Sequence, residues 1–120
     1  MSLEQLNAQQ PLENVRFAYD SADLNDAARA SLQKNSAWMQ RWTSTSVTVE
    51  GHADARGTSE YNLALGERRA TAVRDYLVSL GVAVARINTV SLGEERPLCT
   101  EETEACFEQN RRGQFVITKK

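Results

Sequence analysis

The chain has little of what most chemistry requires. It holds a single histidine, His52, and only two cysteines, Cys99 and Cys106. A structural zinc site usually takes four ligands, so a metal centre of that kind is not expected. The cysteines are too far apart for a CxxC redox pair. Two readings of them stay open: free surface thiols, or a disulfide closing a short loop. The second is favoured and implies an oxidising compartment. With one histidine, no nucleophile and base in a recognisable pairing, and no metal cluster, an enzyme is not expected. No apolar run approaches the roughly 18 residues of a membrane span. Fourteen Lys and Arg stand against sixteen Asp and Glu, a net charge of −2. The broad basic excess of a dedicated nucleic-acid binder is therefore missing.

What is present is ordinary globular material. The 120 residues are 41% hydrophobic and 25% charged, enough for one domain that buries roughly two-thirds of its unfolded surface. Residues 1–11 are polar and lack the apolar core of a secretory leader. They are expected to be a flexible tail or linker, with residues 12–120 as the domain and any membrane anchor upstream of residue 1.

Along the chain, Leu12–Tyr19 alternates and reads as a strand. Asp23 or Asn25 can cap a helix that buries Leu24, Ala28, Leu32, Met39 and Trp42 on one face. Val47 and Val49 mark a second strand. The loop GHADARGTS follows it, and then a long helix runs to Leu80, where Gly81 stops it. Ala85–Leu92 and Gln114–Thr118 read as strands, with a helical turn over Glu104–Asn110. The order is βαβαββ. It predicts an α+β two-layer sandwich: a mixed four-stranded sheet with two main helices on one face.

The long helix carries an anomaly. With Leu65 at zero, Tyr61, Leu65, Ala72, Val73, Tyr76 and Leu80 form an apolar stripe centred near about +40°, and Arg69 falls in its middle. Asn62 lies on the same face. A charge placed there must be matched. It could form a structural ion pair with an acid elsewhere, or it could reach an anionic ligand. Asp54 follows the second strand at its carboxyl end, where open sheets with crossovers tend to bind ligands. Gly51 and Gly57 are expected to bend the backbone around it. Thr58 and Ser59 open the helix, whose free N–H groups suit an anion. An acid and an arginine held apart suit a zwitterion: Asp54 would take an ammonium and Arg69 a carboxylate. The expected ligand is an amino-acid head group. His52, beside a glycine at a strand end, reads as packed or hydrogen-bonded rather than as a base. Tyr61 and Tyr76 read as core, and Glu101, Glu102 and Glu104 as a solvated loop.

The stretch VEGHADARGTSEYNLALGERRATAVRDYL, residues 49–77, closely resembles the OmpA-like domain family, and within it the branch of peptidoglycan-associated lipoproteins. FAYDSADL (17–24), VSLGEERP (90–97) and NRRGQFVIT (110–118) resemble further pieces of the family in the right order. The resemblance implies non-catalytic binding of peptidoglycan through the meso-diaminopimelate of the stem peptide. It would anchor the outer membrane to the cell wall from the periplasm. By position it implies ligand roles for Asp54 and Arg69, and pocket roles for Thr58 and Asn62. Tyr19, Asp20 and Ser21 would form the loop over the ligand carboxylate. Arg56 follows the branch's DxRG form, and Arg111 and Arg112 match the NRR pair, of which Arg112 is taken as the binding residue. Ser21 departs from the lysine common in that branch. A TolB-like periplasmic partner is a further implication. The same domain could also serve a flagellar stator subunit or a porin.

Overall fold

The computed structural model describes residues 1–120. The elements run in the order α1 (Leu3–Ala8), β1 (Val15–Arg16), α2 (Asp26–Arg41), β2 (Ser46–His52), α3 (Ser59–Ser79), β3 (Ile87–Gly93), α4 (Glu104–Asn110) and β4 (Arg112–Lys119), with one 3-10 turn, Val84–Arg86, ahead of β3. The sheet order is β1-β4-β2-β3. β2 and β3 are parallel, and β4 pairs antiparallel with both β1 and β2. The architecture is the expected two-layer α+β fold with a mixed four-stranded sheet. No helix is long and apolar enough to cross a membrane.

Local chemistry sets the helix starts. Asn25, not Asp23, caps α2, its Oδ1 accepting from the Ala28 N–H at 2.8 Å. Thr58 caps α3 through the Tyr61 N–H, and Thr103 caps α4 through the Cys106 N–H. The core joins Ala28, Leu32 and Met39 of α2 and Ala70, Val73 and Leu77 of α3 to Val47, Val49, Ile87 and Ile117 of the sheet. Trp42, expected on the buried face, is instead the C-cap of α2. Its backbone leaves the helix there and the ring is half exposed.

Two expectations at the N-terminal end are corrected. Residues 1–11 are not a loose tail, for they contain α1. Ser2 and Gln5 form a reciprocal capping box, and the Asn7 side chain bonds the main chain of Ile117. The first strand does not span Leu12–Tyr19 but only two residues, because the chain ahead of Val15 is drawn off the sheet by α2.

α3 crosses β2 at unusually close range. A Cβ on Gly51 would lie 1.7 Å from the Gly66 carbonyl oxygen, and a Cβ on Gly66 only 2.6 Å from that of Gly51. Gly51 therefore serves helix-to-strand contact rather than the loop bend expected of it. The positive φ of 92° belongs to Gly57 alone of the two. This contact brings the Arg69 turn of α3 down against the carboxyl end of β2.

Candidate functional site

Arg69 is fully buried. Its Nε donates to the Ser21 carbonyl at 2.8 Å, Nη1 to His52 at 2.8 Å and Nη2 to Ala18 at 3.0 Å. It thus ties the 18–21 turn to the end of β2. Neither expectation describes it in full: it makes no ion pair, and it does not hold out a free fork to solvent. Burial, with Arg111 nearby, pushes its pKa down to about 10, and Asp54 and Asp20 oppose the shift.

Asp54 follows directly, where Ala53 extends the β2–β3 ladder by donating its N–H to the Gly93 carbonyl at 2.9 Å. Its carboxylate is 4% exposed. Oδ1 accepts from the Arg56 N–H at 3.0 Å and Nε at 3.1 Å. Oδ2 accepts from Arg56 Nη2 at 2.7 Å and Arg111 Nη1 at 3.4 Å. Burial alone would raise the Asp54 pKa. The Arg56 bonds and charge, with Arg111 behind, outweigh it and hold the group below the usual carboxylate range. The Arg56 guanidinium lies between the rings of Tyr19 and Phe107, at 4.2 and 4.3 Å from their centroids.

A cavity of about 40 Å³ opens here, lined by Tyr19, Asp20, Asp54, Arg56, Asn62 and Arg69 among others. The turn that roofs it has Asp20 at φ 55°, and the main-chain N–H groups of Tyr19 and Asp20 have no acceptor in the protein. Asn62 donates to the Arg56 carbonyl at 3.0 Å and to Glu94 at 3.2 Å, which fixes the floor of the loop.

Three of the expected site residues stand apart. The Thr58 hydroxyl caps α3. Ser21 contributes a carbonyl to Arg69, and its hydroxyl accepts from the Asp23 N–H. Arg112 donates instead to Gln114 and to the Arg96 carbonyl, while its neighbour Arg111 faces Asp54. Successive residues at a strand's start point to opposite faces, so only one of the pair can reach the site. Arg111 also donates to the Phe17 carbonyl at 2.9 Å and to Glu104 at 2.9 Å. Phe107 was not among the expected site residues, and Glu104, expected in a solvated loop, instead opens α4 and pairs with Arg111. Both sit on α4, which a Cys99–Cys106 disulfide ties to the preceding loop.

His52 is buried, its Nε2 3.0 Å from Glu50 Oε1. Burial lowers its pKa, partly offset by Glu50 and reinforced by Arg112. Tyr61 is exposed rather than core, because the buried face of α3 centres on Asn62, Gly66, Arg69 and Val73. No group of three or more His, Cys, Asp or Glu is placed to hold a metal.

Sheet order, the α3 crossing and the acid at the end of β2 define an α+β domain built around a buried arginine. The OmpA family pattern matches residues 16–111, and the chain belongs to that family. It is 47% identical over 105 residues to a peptidoglycan-associated lipoprotein of Brucella melitensis, covering 88% of this chain and 62% of that protein. It is 44% identical over 111 residues to one from Pseudomonas aeruginosa, covering 92% and 66%. The chain thus spans a little under two-thirds of the first of these relatives. Among solved structures, the peptidoglycan-associated lipoprotein from Burkholderia pseudomallei superposes with a TM-score of 0.84 at 42% identity, over 88% of this chain and 89% of that one.

Proposed function

We propose that this domain binds peptidoglycan without cleaving it, and grips the amino-acid head group at the end of the diaminopimelate side chain of the stem peptide. The observation that carries the reading is one small cavity with an acid on one side and an anion-seeking surface on the other. Asp54 is matched there by the Arg56 main-chain N–H and by the guanidinium groups of Arg56 and Arg111, and residues 19 and 20 bring unpaired N–H groups. The names of the relatives support peptidoglycan as the target.

The cavity has room for about one water molecule, so a ligand enters by displacing Arg56. Its ammonium takes over the Asp54 carboxylate from the Arg56 guanidinium, which swings out from between Tyr19 and Phe107. The ligand carboxylate meets the Tyr19 and Asp20 N–H groups. Arg69 acts from beneath as a fixed positive charge and as the tie that shapes their turn. Asn62 holds the loop that carries Arg56. In a whole protein with an upstream anchor, this would tether the outer membrane to the wall from the periplasmic side. A pull-down with a TolB-like protein tests the partner that the family implies.

Titration with stem peptides tests the reading. A lysine-type stem lacks the second carboxylate, so the diaminopimelate type should bind at least about tenfold more tightly. Asp54→Asn should lose a similar factor and be released from purified sacculi. Equal affinity for the two peptides, or unchanged retention of the variant, would reject the reading, as would any muropeptide fragment released on incubation.

A further inference from the structure

β4 has an open edge away from this site. The β1–β4 register sets Val15 opposite Gly113, so two residues along, the next hydrogen-bonded pair would be Glu13 with Phe115. That pair does not form. Asn35 of α2, 1% exposed, takes the Glu13 main chain instead. Its Oδ1 accepts from the Glu13 N–H at 2.9 Å, and its Nδ2 donates to the Glu13 carbonyl at 2.9 Å. Two residues further along β4, Asn7 of α1 makes the same double bond with Ile117, at 2.9 and 2.8 Å. Along an antiparallel strand, the N–H and C=O of one residue point to the same side, and alternate residues share that side. Ile117 points to Asn7 and Gly113 to β1, so Phe115 points outward too. Its N–H and C=O have no partner on that side.

A groove of about 590 Å³ runs over this point, floored by residues 114–117 of β4. Its charged lining residues are both acidic, Glu4 and Glu13. Glu13 has Lys34 at 3.6 Å, whereas Glu4 has no ion-pair partner. The wall on the Asn7 side is α1, which packs only Leu3 and Leu6, both partly buried, against the core. α1 has six residues, none fully buried, and joins the domain through Gln10 in the left-handed region at φ 47°. An element held by so few contacts opens at low cost.

We infer that this edge is a docking groove for an extended peptide segment with basic side chains. The segment pairs main chain to main chain with Phe115 and, when Asn7 releases it, with Ile117. An unpaired strand edge selects an extended backbone. Two carboxylates with no cation among the lining residues select Lys or Arg. A second copy of this chain fits poorly, since edge-to-edge pairing about Phe115 would bring Glu4 and Glu13 of both copies together.

The test uses the whole 120-residue chain, labelled with ¹⁵N, and the probe acetyl-Lys-Val-Lys-Val-Lys-Thr-amide. Before the probe is added, the Phe115 amide should exchange with solvent faster than that of Val116. With the probe it should shift and become protected. The same peptide with Glu for Lys should bind about tenfold more weakly, and N-methylation along one edge of the backbone should abolish binding. Asn7→Ala lies outside the core and should bind the probe several-fold more tightly, because Ile117 becomes available. An unmoved Phe115, equal binding of the Glu or N-methyl peptide, or weaker binding by Asn7→Ala would overturn the inference. Dimerisation of Asn7→Ala without peptide, seen by sedimentation, would overturn it in favour of a second copy.

Discussion

Arg69 carries a full charge into the interior and keeps it there with three carbonyls. Removing a guanidinium from water costs several kcal/mol, and hydrogen bonds from a charged donor return about 1.5–3 kcal/mol each, so the arrangement holds only if all three acceptors are in place. Lysine keeps the charge but presents it at one point and cannot reach carbonyls on the turn and on the strand together. Arg69→Lys is expected to destabilise the domain by about 2–4 kcal/mol, read from the urea midpoint. The sequence flagged this residue clearly, as an arginine in the middle of an apolar stripe. Its partners were illegible because every residue has a carbonyl, and side-chain identity says nothing about which carbonyl arrives. The same limit explains Arg111 and Arg112. The pair was visible, but the choice of which one faces Asp54 depends on where β4 begins.

The elements were more legible than their contacts. The caps Asn25 and Thr58 and the stop at Gly81 follow from local chemistry, and α4 falls on the expected residues. Gly51 was visible as a glycine and misread in purpose, because its partner Gly66 lies on another element. That crossing yields a prediction. A methyl on Gly66 must push α3 away from β2, and overpacking of this kind costs about 1–3 kcal/mol. Gly66→Ala should lower the urea midpoint accordingly and also weaken stem-peptide binding, since Arg69 and Asn62 ride on the displaced helix. Lost stability with unchanged binding would separate the crossing from the site. α1 escaped notice for a related reason. A helix of six residues is marginal by itself, and the Asn7 bond that docks it joins positions at opposite ends of the chain.

At the scale of the molecule, the net charge of −2 hides buried charges that link stability to acidity. His52 has a lowered pKa in the fold because burial disfavours its cation. Its contribution is whole above the unfolded value of about 6.5 and declines as pH falls below it, since the unfolded chain then binds the proton more readily. Asp54 also has a lowered pKa. Its contribution is whole above the unfolded carboxylate value of about 3.9 and is lost as pH falls further. Urea midpoints taken across pH should therefore fall in two stages on acidification. His52→Gln should flatten the first stage and Asp54→Asn the second. A wild-type midpoint constant from pH 7 to 5 would contradict the first assignment. By itself, the sequence determined the element order, the helix caps, the acid at the end of β2 and the misplaced arginine, because periodicity, capping and burial cost act over a few neighbouring residues. The tertiary structure alone decided that Arg69 holds a turn of backbone, that Arg56 covers Asp54 between two rings, and that one edge of β4 stays open. Those outcomes depend on groups far apart in the chain, whose meeting is set by how helices and strands pack.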